Sequence, residues 1–264
     1  MKGSDRRKLI NELRDLIYRI TGNYYPEERI RIFEFKIERA LKNMGMENSS
    51  PEAIVRYFAG EGRDVLIDLM TVPETRFFRE REQLEVLADL LISETKFPEV
   101  ASVGCSTGEE PYSLAMILAS RGVRGRIVGF DISGGVLERA RTGIYPPEEI
   151  KDIPDEYREF VILKEKFLEV RRDIRSMVTF HRANIIEASD FTGFRSSFHT
   201  ALCRNVLIYF DKSSKKKALV NLHSILKDGG ILVLSSTEIL GKEAVDLFDP
   251  FKAGKFFFYR RKGA

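Results

Sequence analysis

The chain has 264 residues, of which 43% are hydrophobic, and its net charge of +3 comes from 43 basic and 40 acidic side chains. This length favours a small domain beside a medium-sized one, and the absence of repeats or low-complexity segments excludes solenoids and disordered tails. Two cysteines are too few for a disulfide framework, and no apolar run reaches the roughly 18 residues of a transmembrane helix. We expect a cytoplasmic protein with free thiols, no membrane insertion and, since its histidines are scattered, no metal site.

The first seventy residues carry two apolar stripes at helical spacing. They consist of Leu9, Leu13, Leu16, Ile17 and Ile20, and of Ile30, Phe33, Ile37, Leu41 and Met44. Ser50 and Pro51 predict the start of a third helix that runs through Phe58, and a fourth is expected from Arg63. We predict a small all-helical domain over residues 1–72, followed by a linker over residues 73–97.

From residue 100 onward, short apolar runs alternate with helical segments, which predicts a mostly parallel sheet of the Rossmann-like α/β class over residues 98–264. The predicted strands are Val100–Val103, Ile127–Phe130, Val178–His181, Ala201–Cys203, Ile231–Leu234 and Phe256–Arg260. The predicted helices are Pro111–Ser120, Gly135–Thr142 and Ser213–Lys227, the last capped by Ser213 and ended at Gly229. Residues 145–177 are charged and irregular, and we interpret them as an inserted subdomain.

The most informative stretch runs from Gly104 to Tyr112 and joins the first predicted strand to a helix. Gly104 and Gly108 break the strand, and Pro111 stands in the first turn of the helix. Small residues let a ligand approach the backbone, and the helix start presents unpaired N–H groups at the carboxyl ends of the strands. The stretch therefore predicts a nucleotide-like ligand lying against Gly104.

Two carboxylates, Glu109 and Glu110, follow this turn and bear on the choice of ligand. A pyrophosphate at this helix start would meet like charges, and the Gly-x-x-x-Gly spacing differs from the dinucleotide fingerprint. S-adenosylmethionine instead carries a sulfonium, an ammonium and ribose hydroxyls, which acidic side chains attract or accept from. The alternative, that the glutamates only favour a helix N-terminus, stays open for both.

Polar residues also follow the next three predicted strands. Asp131 ends the second strand, where an acidic side chain can hold both hydroxyls of a ribose; its alternative role is an N-cap, for which Ser133 is better placed. Asn184 follows the third strand, and Arg204 with Asn205 follows the fourth. Asparagine after a strand is also common turn chemistry, but these ends are expected to face one crevice.

Four blocks of the sequence together resemble one family, the bacterial chemotaxis-receptor glutamate O-methyltransferases, or CheR family. The blocks are Thr75–Glu80, Cys105–Ser113, Asp131–Ser133 with Ala140–Tyr145, and Cys203–Asp211. The resemblance covers nearly the whole chain. It implies transfer of a methyl group from S-adenosylmethionine to receptor glutamates, with S-adenosylhomocysteine as the product.

The resemblance also assigns roles to individual residues. Thr75 and Arg79 match residues that contact the cofactor, and the arginine also lies near the transferred methyl group. Tyr209 matches a tyrosine proposed to assist catalysis, although taken alone it is typical of a core aromatic residue. Further cofactor contacts are implied at Glu110, Asp131, Asn184, Ile185, Arg204 and Asn205.

Three departures from the family pattern limit what the resemblance implies. Pro73 stands where many members have asparagine, so one cofactor hydrogen bond is expected to be missing. Ser235-Ser236-Thr237-Glu238 replaces a common Gly-His-Ser-Glu, so any role of that histidine is absent. The inserted segment is shorter than in members that grip a tethering peptide of the receptor, and we expect a peptide-independent mode.

Transfer to a glutamate needs no general base, because free glutamate has a pKa near 4.3 and is ionised at neutral pH. We expect Arg79 and Tyr209 to orient the acceptor carboxylate. The partner would be the cytoplasmic helical region of chemoreceptors, with docking on Arg29, Lys36 and Arg39 of the second helix. These three lie on one side, away from the apolar stripe, and the alternative is a solvated face.

We expect the receptor methyltransferase to be a monomer. Two other functions fit parts of the sequence. A catalytically lapsed regulator that binds S-adenosylmethionine is suggested by Pro73 and Ser236, but Arg79, Asp131 and Tyr209 oppose it. A nucleic-acid base methyltransferase would carry Asn/Asp-Pro-Pro-aromatic after the fourth strand. This chain has Arg-Asn-Val-Leu there and no basic stripe with interleaved aromatic residues, so no nucleic-acid partner is expected.

Overall fold

The structure is a computed structural model that describes residues 3–71 and 74–263. The chain divides into two compact units. Residues 1–72 together with 209–214 form the first, which we call the helical unit, and residues 73–208 with 215–264 form the sheet unit. The predicted boundary at residues 72 and 73, and with it the predicted effect of Pro73, lies outside the described residues.

The helical unit is built from amphipathic helices whose apolar stripes face inward, as predicted. Its helices are α1 Gly3–Thr21, α2 Ile30–Asn43, α3 Pro51–Ala59 and α4 Arg63–Met70. Leu13, Ile17, Phe33 and Ile37 are fully buried. The predicted start of α3 is confirmed, because Ser50 Oγ accepts a hydrogen bond from the third residue of the helix at 3.2 Å.

The sheet unit contains a seven-stranded sheet in the order β6-β2-β1-β7-β8-β10-β9 and a three-stranded sheet in the order β3-β5-β4. The strands are β1 Glu99–Val103, β2 Arg126–Asp131, β3 Ile144–Tyr145, β4 Val161–Leu163, β5 Leu168–Val170, β6 Val178–Arg182, β7 Phe198–Leu202, β8 Leu226–Val233, β9 Phe248–Ala253 and β10 Phe256–Arg261. In the large sheet β10 runs antiparallel to both neighbours, so the other six strands share one direction. The predicted Rossmann-like class is confirmed.

The remaining helices are α5 Arg81–Glu94, α6 Glu109–Ser120, α7 Gly134–Thr142, α8 Arg172–Arg175 and α9 Lys212–Ile225. The range predicted as a linker contains α5, whose Leu84, Leu87 and Leu91 belong to the core of the sheet unit. Leu84, Leu87, Ala88 and Leu91 recur at helical spacing, so the sequence carried a signal for α5 that the linker prediction did not use. Within the described residues, no helix is long and apolar enough to cross a membrane.

Several predicted elements end or begin elsewhere. Asp211, not Ser213, caps α9, because its Oδ1 accepts a hydrogen bond from Ser214 N at 2.8 Å. The helix ends at Ile225 rather than at Gly229, which lies within β8. Strand β9 was missed because its proline and two charged residues, Asp249 and Lys252, disfavour a strand; it lies at the edge of the sheet, where proline is tolerated.

The segment predicted as irregular is folded. It contains the small antiparallel sheet, and it supplies buried side chains to the core of the sheet unit, among them Tyr145, Tyr157, Leu168 and Ile174. Both cysteines are buried free thiols, as predicted.

Candidate active site

The turn between β1 and α6 begins at Gly104, where the backbone takes a left-handed conformation with φ of +77°. The N–H groups of Gly104 and Cys105 both donate to Phe130 O, at 2.7 and 3.0 Å, which ties the turn to the end of β2. A side chain at Gly104 is excluded, because its Cβ would lie 2.4 Å from Val206 Cγ2. Gly104 is nevertheless exposed, so its backbone is open to a ligand.

Gly108 ends the turn and precedes α6, with φ of +95°. A Cβ at this position would lie 3.0 Å from both Ala140 Cβ and Phe180 Cζ. The start of α6 is therefore packed closely against α7 and β6. Only glycine can adopt this positive φ and also fit between the side chains of Ala140 and Phe180.

Asp131 ends β2, as predicted, and its carboxylate turns toward the Gly104 turn. Its Oδ2 accepts a hydrogen bond from Ser106 N at 2.8 Å, and its Oδ1 accepts one from Ser133 N at 3.0 Å. The cap of α7 is Ser133, whose Oγ accepts from Val136 N at 3.2 Å, so the alternative N-cap role of Asp131 is wrong. Ser106 itself is strained, with φ of +50°, and its buried Oγ has no hydrogen-bond partner among the described residues.

These features fit a ligand that carries hydroxyl groups. An orphaned buried hydroxyl such as Ser106 Oγ is costly unless something pairs with it. The carboxylate of Asp131 lies at the same turn, where its Oδ2 accepts from Ser106 N, and a carboxylate presents only acceptors. The Gly104 turn therefore offers acceptors and an open backbone rather than a phosphate cradle, as S-adenosylmethionine requires.

The two glutamates of the turn differ in role. Glu109 is buried, and both of its carboxylate oxygens accept from Thr107 Oγ, at 2.8 and 2.7 Å. Burial raises the pKa of Glu109 above its ordinary value, although the Thr107 hydrogen bond opposes this. Glu110 Oε1 accepts from Ser102 Oγ at 2.7 Å, and its Oε2 pairs with Arg204 at 3.0 Å.

Arg204 is the centre of a buried ionic cluster. Its side chain is 1% exposed, and its guanidinium pairs with Glu80 at 2.7 Å as well as with Glu110. The same guanidinium donates to Arg79 O at 2.7 Å. Ser236 N and Oγ donate to the other side of Glu80. Arg204 was predicted to contact the cofactor; its hydrogen bonds here fix the backbone of Arg79.

The motif Thr75–Glu80 is anchored in the sheet unit by its aromatic residues. Phe77 and Phe78 are buried, and Phe78 N donates to Ser113 Oγ of α6 at 2.8 Å. Thr75 and Arg79 are half-buried, and Arg79 Nη1 donates to the backbone oxygen of the residue before Thr75 at 3.0 Å. Phe78 has φ of +54° and Glu80 φ of +52°, so strain is concentrated in this motif.

The asparagines predicted at the sheet edge are engaged in turns. Asn184 is buried, and its Oδ1 accepts from Ile186 N at 3.3 Å, which is the turn chemistry weighed against a ligand role. Ile185 is also buried, and its backbone oxygen accepts from Asn221 at 2.8 Å. Asn205 has φ of +60°, and its N–H donates to a carboxylate oxygen of Glu238 at 2.7 Å.

Two sets of predicted residues lie in the helical unit. Tyr209 O accepts from Tyr24 N at 2.8 Å, and Tyr209 belongs to the segment 209–214 that groups with the helices. Arg29 and Arg39 are exposed. Lys36, the third predicted docking residue, is half-buried, and its ammonium donates to the Leu69 carbonyl near the end of α4 at 3.0 Å; its docking role stays a prediction.

Glu80, Ser113 and Glu238 were missed as site residues. Glu80 and Ser113 stand inside the motif blocks, so their position in the sequence was a usable signal. Glu238 matches the glutamate of the common Gly-His-Ser-Glu stretch, so it too had a usable signal, and its carboxylate accepts from Asn205 N and from Ser235 N. What connects these residues is charge and hydrogen bonding between segments far apart in sequence.

Comparison with known proteins identifies the family. Residues 73–257 match the family described as CheR methyltransferase, SAM binding domain. Chemotaxis protein methyltransferase 2 of Pseudomonas aeruginosa is 28% identical over 255 residues, covering 88% of this chain and 86% of its own. The protein of the same name in Vibrio cholerae is 29% identical, covering 87% and 84%, and chemotaxis protein methyltransferase of Escherichia coli is 30% identical, covering 84% and 81%. The chain therefore belongs to the CheR methyltransferase family, whose matching domain binds S-adenosylmethionine.

Proposed function

We propose that the chain transfers a methyl group from S-adenosylmethionine to glutamate side chains of chemoreceptors, forming glutamyl methyl esters and S-adenosylhomocysteine. The names of its relatives support the receptor as the substrate. The observation that carries the proposal is Arg204, which links the backbone of Arg79 to Glu110 beside the Gly104 turn. A candidate carboxylate-binding residue and the candidate cofactor turn are thereby held in one framework.

The cofactor is proposed to lie along the Gly104 turn. Asp131 would accept hydrogen bonds from the ribose hydroxyls, and Ser106 Oγ would gain the partner it lacks among the described residues. Thr75, Asn184, Ile185 and Asn205 stay predicted contacts, which rest on the resemblance. When bound, the cofactor supplies an electrophilic methyl group on its sulfonium.

The acceptor carboxylate is proposed to bind Arg79. A guanidinium recognises a carboxylate through two parallel hydrogen bonds, and Arg79 makes one side-chain hydrogen bond within the described ranges, to a backbone oxygen. Its other donors are therefore available. Because a glutamate is already ionised, Arg79 needs to orient and partly desolvate it rather than remove a proton.

Tyr209 is proposed, from the family resemblance alone, to lie near the transferred methyl group. Its phenol can donate a hydrogen bond to the same carboxylate. Burial and the neighbouring Tyr209 raise the pKa of Tyr25 to about 12, so the phenol of Tyr25 stays protonated at neutral pH.

We propose that the receptor docks on the surface around helix α2. We also propose that the protein acts in the cytoplasm as a monomer. Arg39 is exposed on α2 and Arg29 is exposed directly before it, and both complement helices that carry rows of glutamates. Replacing both arginines by glutamate should raise the KM for receptor about tenfold or more while cofactor affinity stays unchanged. The control is the same reversal at Arg63, which is exposed on α4; equal effects of the two reversals would refute docking on α2.

The proposal is tested by incubating the chain with methyl-labelled S-adenosylmethionine and receptor-containing membranes. Label should appear on receptor and leave as methanol in mild base. The Arg79→Lys variant should lose transfer, measured as kcat, by a larger factor than it loses cofactor affinity, measured by calorimetry. Base-stable label on protein or label on nucleic acid would contradict carboxylate transfer, and cofactor binding without any transfer would indicate a lapsed regulator.

A further inference from the structure

A cavity of about 450 Å³ lies in the sheet unit against β6, the edge strand of the main sheet. Its volume is within the range of small-molecule sites, roughly 300–1,000 Å³. Arg141 of α7, Arg172 and Arg175 of α8, and Thr179 and Phe180 of β6 line it. The residues predicted to bind the cofactor are not among its lining residues, so the cavity is a separate site.

The charge of this cavity, which we call the arginine pocket, is poorly compensated. The side chain of Arg172 makes no hydrogen bond or ion pair with any described residue, and Arg141 makes one hydrogen bond, from Nη2 to Phe180 O at 3.2 Å. Arg175 pairs with Glu169 at 3.1 Å, and its buried Nε has no partner in the described part of the chain. Three guanidinium groups therefore share one paired carboxylate, and the pocket favours an anion.

The pocket is shaped by a specific backbone feature. Gly143 ends α7 in a left-handed conformation with φ of +60°, and a Cβ there would lie 2.5 Å from Arg175 Cδ. The missing side chain lets Arg175 lie across the end of α7, where its Nη1 donates to Thr142 O at 2.9 Å. Arg175 is thus fixed, whereas Arg141 and Arg172 are exposed and can close on a ligand.

The lining determines the chemical class of ligand. A phosphate group carries up to two negative charges and several acceptor oxygens, and arginine binds it through paired hydrogen bonds. A single carboxylate would leave most of these donors unused. Phe180 and Val178 provide an apolar wall for the organic part of the ligand.

The same wall reaches the cofactor turn. Phe180 Cζ would lie 3.0 Å from a Cβ on Gly108, and its ring packs edge-on against Tyr112 of α6, with ring centroids 5.6 Å apart. A ligand that packs against Phe180 is therefore one side chain away from the Gly104–Gly108 turn. In addition, a phosphate would offset positive charge beside a site that binds a cationic cofactor.

We propose that the arginine pocket is a regulatory site for a small molecule that carries a phosphate group, and that its occupation strengthens the binding of S-adenosylmethionine. Linkage requires the reverse effect as well, so the cofactor should strengthen phosphate binding by the same factor. S-adenosylhomocysteine lacks the sulfonium charge and should respond less. This inference concerns cofactor affinity and does not depend on the acceptor being a glutamate.

The test uses calorimetry at fixed ionic strength with uridine monophosphate, inorganic pyrophosphate and citrate as probes. The first two should bind more tightly than citrate. The double variant Arg141→Gln, Arg172→Gln should weaken their binding about tenfold or more, because two charge-assisted contacts are removed. The matched control is Arg124→Gln, an exposed arginine outside the pocket, which should leave it unchanged.

A second measurement tests regulation directly. The affinity for S-adenosylmethionine should rise at least about threefold when uridine monophosphate is saturating, in the native chain and not in the double variant. Equal binding of citrate would overturn the phosphate assignment. If the double variant binds the probes as tightly as the native chain, the arginine pocket is not the binding site. If the probes bind without changing the affinity for S-adenosylmethionine, the pocket is not regulatory.

Discussion

Replacing Arg204 by methionine should destabilise the sheet unit strongly. The arginine side chain is 1% exposed, whereas its partners Glu80 and Glu110 are 24% and 16% exposed, so their charges would be left largely buried without a cation. Removing one member of a buried ion pair costs about 3–5 kcal/mol, and the partial exposure of both carboxylates places the expected loss near 3 kcal/mol. In a unit of this size that corresponds to a fall in Tm of roughly 6–12 °C.

The matched control for this prediction is Arg158→Met. Arg158 pairs with Asp155, and the two side chains are 46% and 86% exposed, so the loss should be at most about 1 kcal/mol. Both variants are compared with the native chain by thermal unfolding at pH 7, followed by circular dichroism. Equal destabilisation by the two substitutions would refute the assignment of Arg204 as the buried centre of the cluster.

The pH dependence of the Arg204→Met effect gives an independent check. Burial alone would raise the pKa of Glu80, but hydrogen bonds from Ser236 and Arg204 outweigh it and lower the pKa below its ordinary value. A depressed pKa in the folded state contributes stability that is present above the unfolded pKa and is lost as pH falls through the folded pKa. The difference in unfolding free energy between the native chain and the variant should therefore be larger at pH 7 than at pH 3.5. A difference that does not change with pH would contradict the pairing of Glu80 with Arg204.

Three further predictions concern the turn, the inserted segment and the proposed catalytic tyrosine. Gly108→Ala should cost at least about 1 kcal/mol more than Gly122→Ala in urea unfolding, because both glycines have positive φ but only Gly108 is crowded. Burial, and then the charge of Glu109, raises the pKa of Glu149 to about 7. The folded state then holds this proton more tightly than the unfolded state, so native stability should fall between pH 5 and 7.5 relative to Glu149→Gln; a constant difference would contradict this. Tyr209→Phe should lower kcat more than affinity for S-adenosylhomocysteine, and equal losses would oppose a methyl-proximal role.

Local sequence patterns predicted the parts of the fold that local interactions determine. The apolar stripes of α1 and α2, the serine caps at Ser50 and Ser133, and the end of β2 at Asp131 were all predicted. The patterns failed where a segment becomes a strand only because it pairs with another strand. Strand β9 exists because β10 pairs with it, although Pro250 and its charged neighbours oppose a strand.

The candidate site was predicted in outline and not in its internal connections. Gly104 and Gly108 were recognisable because a turn into a helix needs small residues there. The pairing of Glu80 with Arg204 joins residues 124 positions apart, and no sequence periodicity reports such a contact. Lys36 shows a second kind of contact that the sequence does not report. Its position away from the apolar stripe of α2 favoured an exposed side chain, whereas its ammonium donates to a carbonyl of α4.

The central claim is that this methyltransferase modifies glutamate carboxylates of chemoreceptors. The most direct measurement is tandem mass spectrometry of receptor incubated with the chain and S-adenosylmethionine that carries a deuterated methyl group. We expect the deuterated methyl on glutamate side chains, and we expect it to be absent from receptor treated with base before digestion. A deuterated methyl on lysine, arginine or cysteine, or receptor that stays unlabelled while the chain binds the cofactor, would contradict the claim.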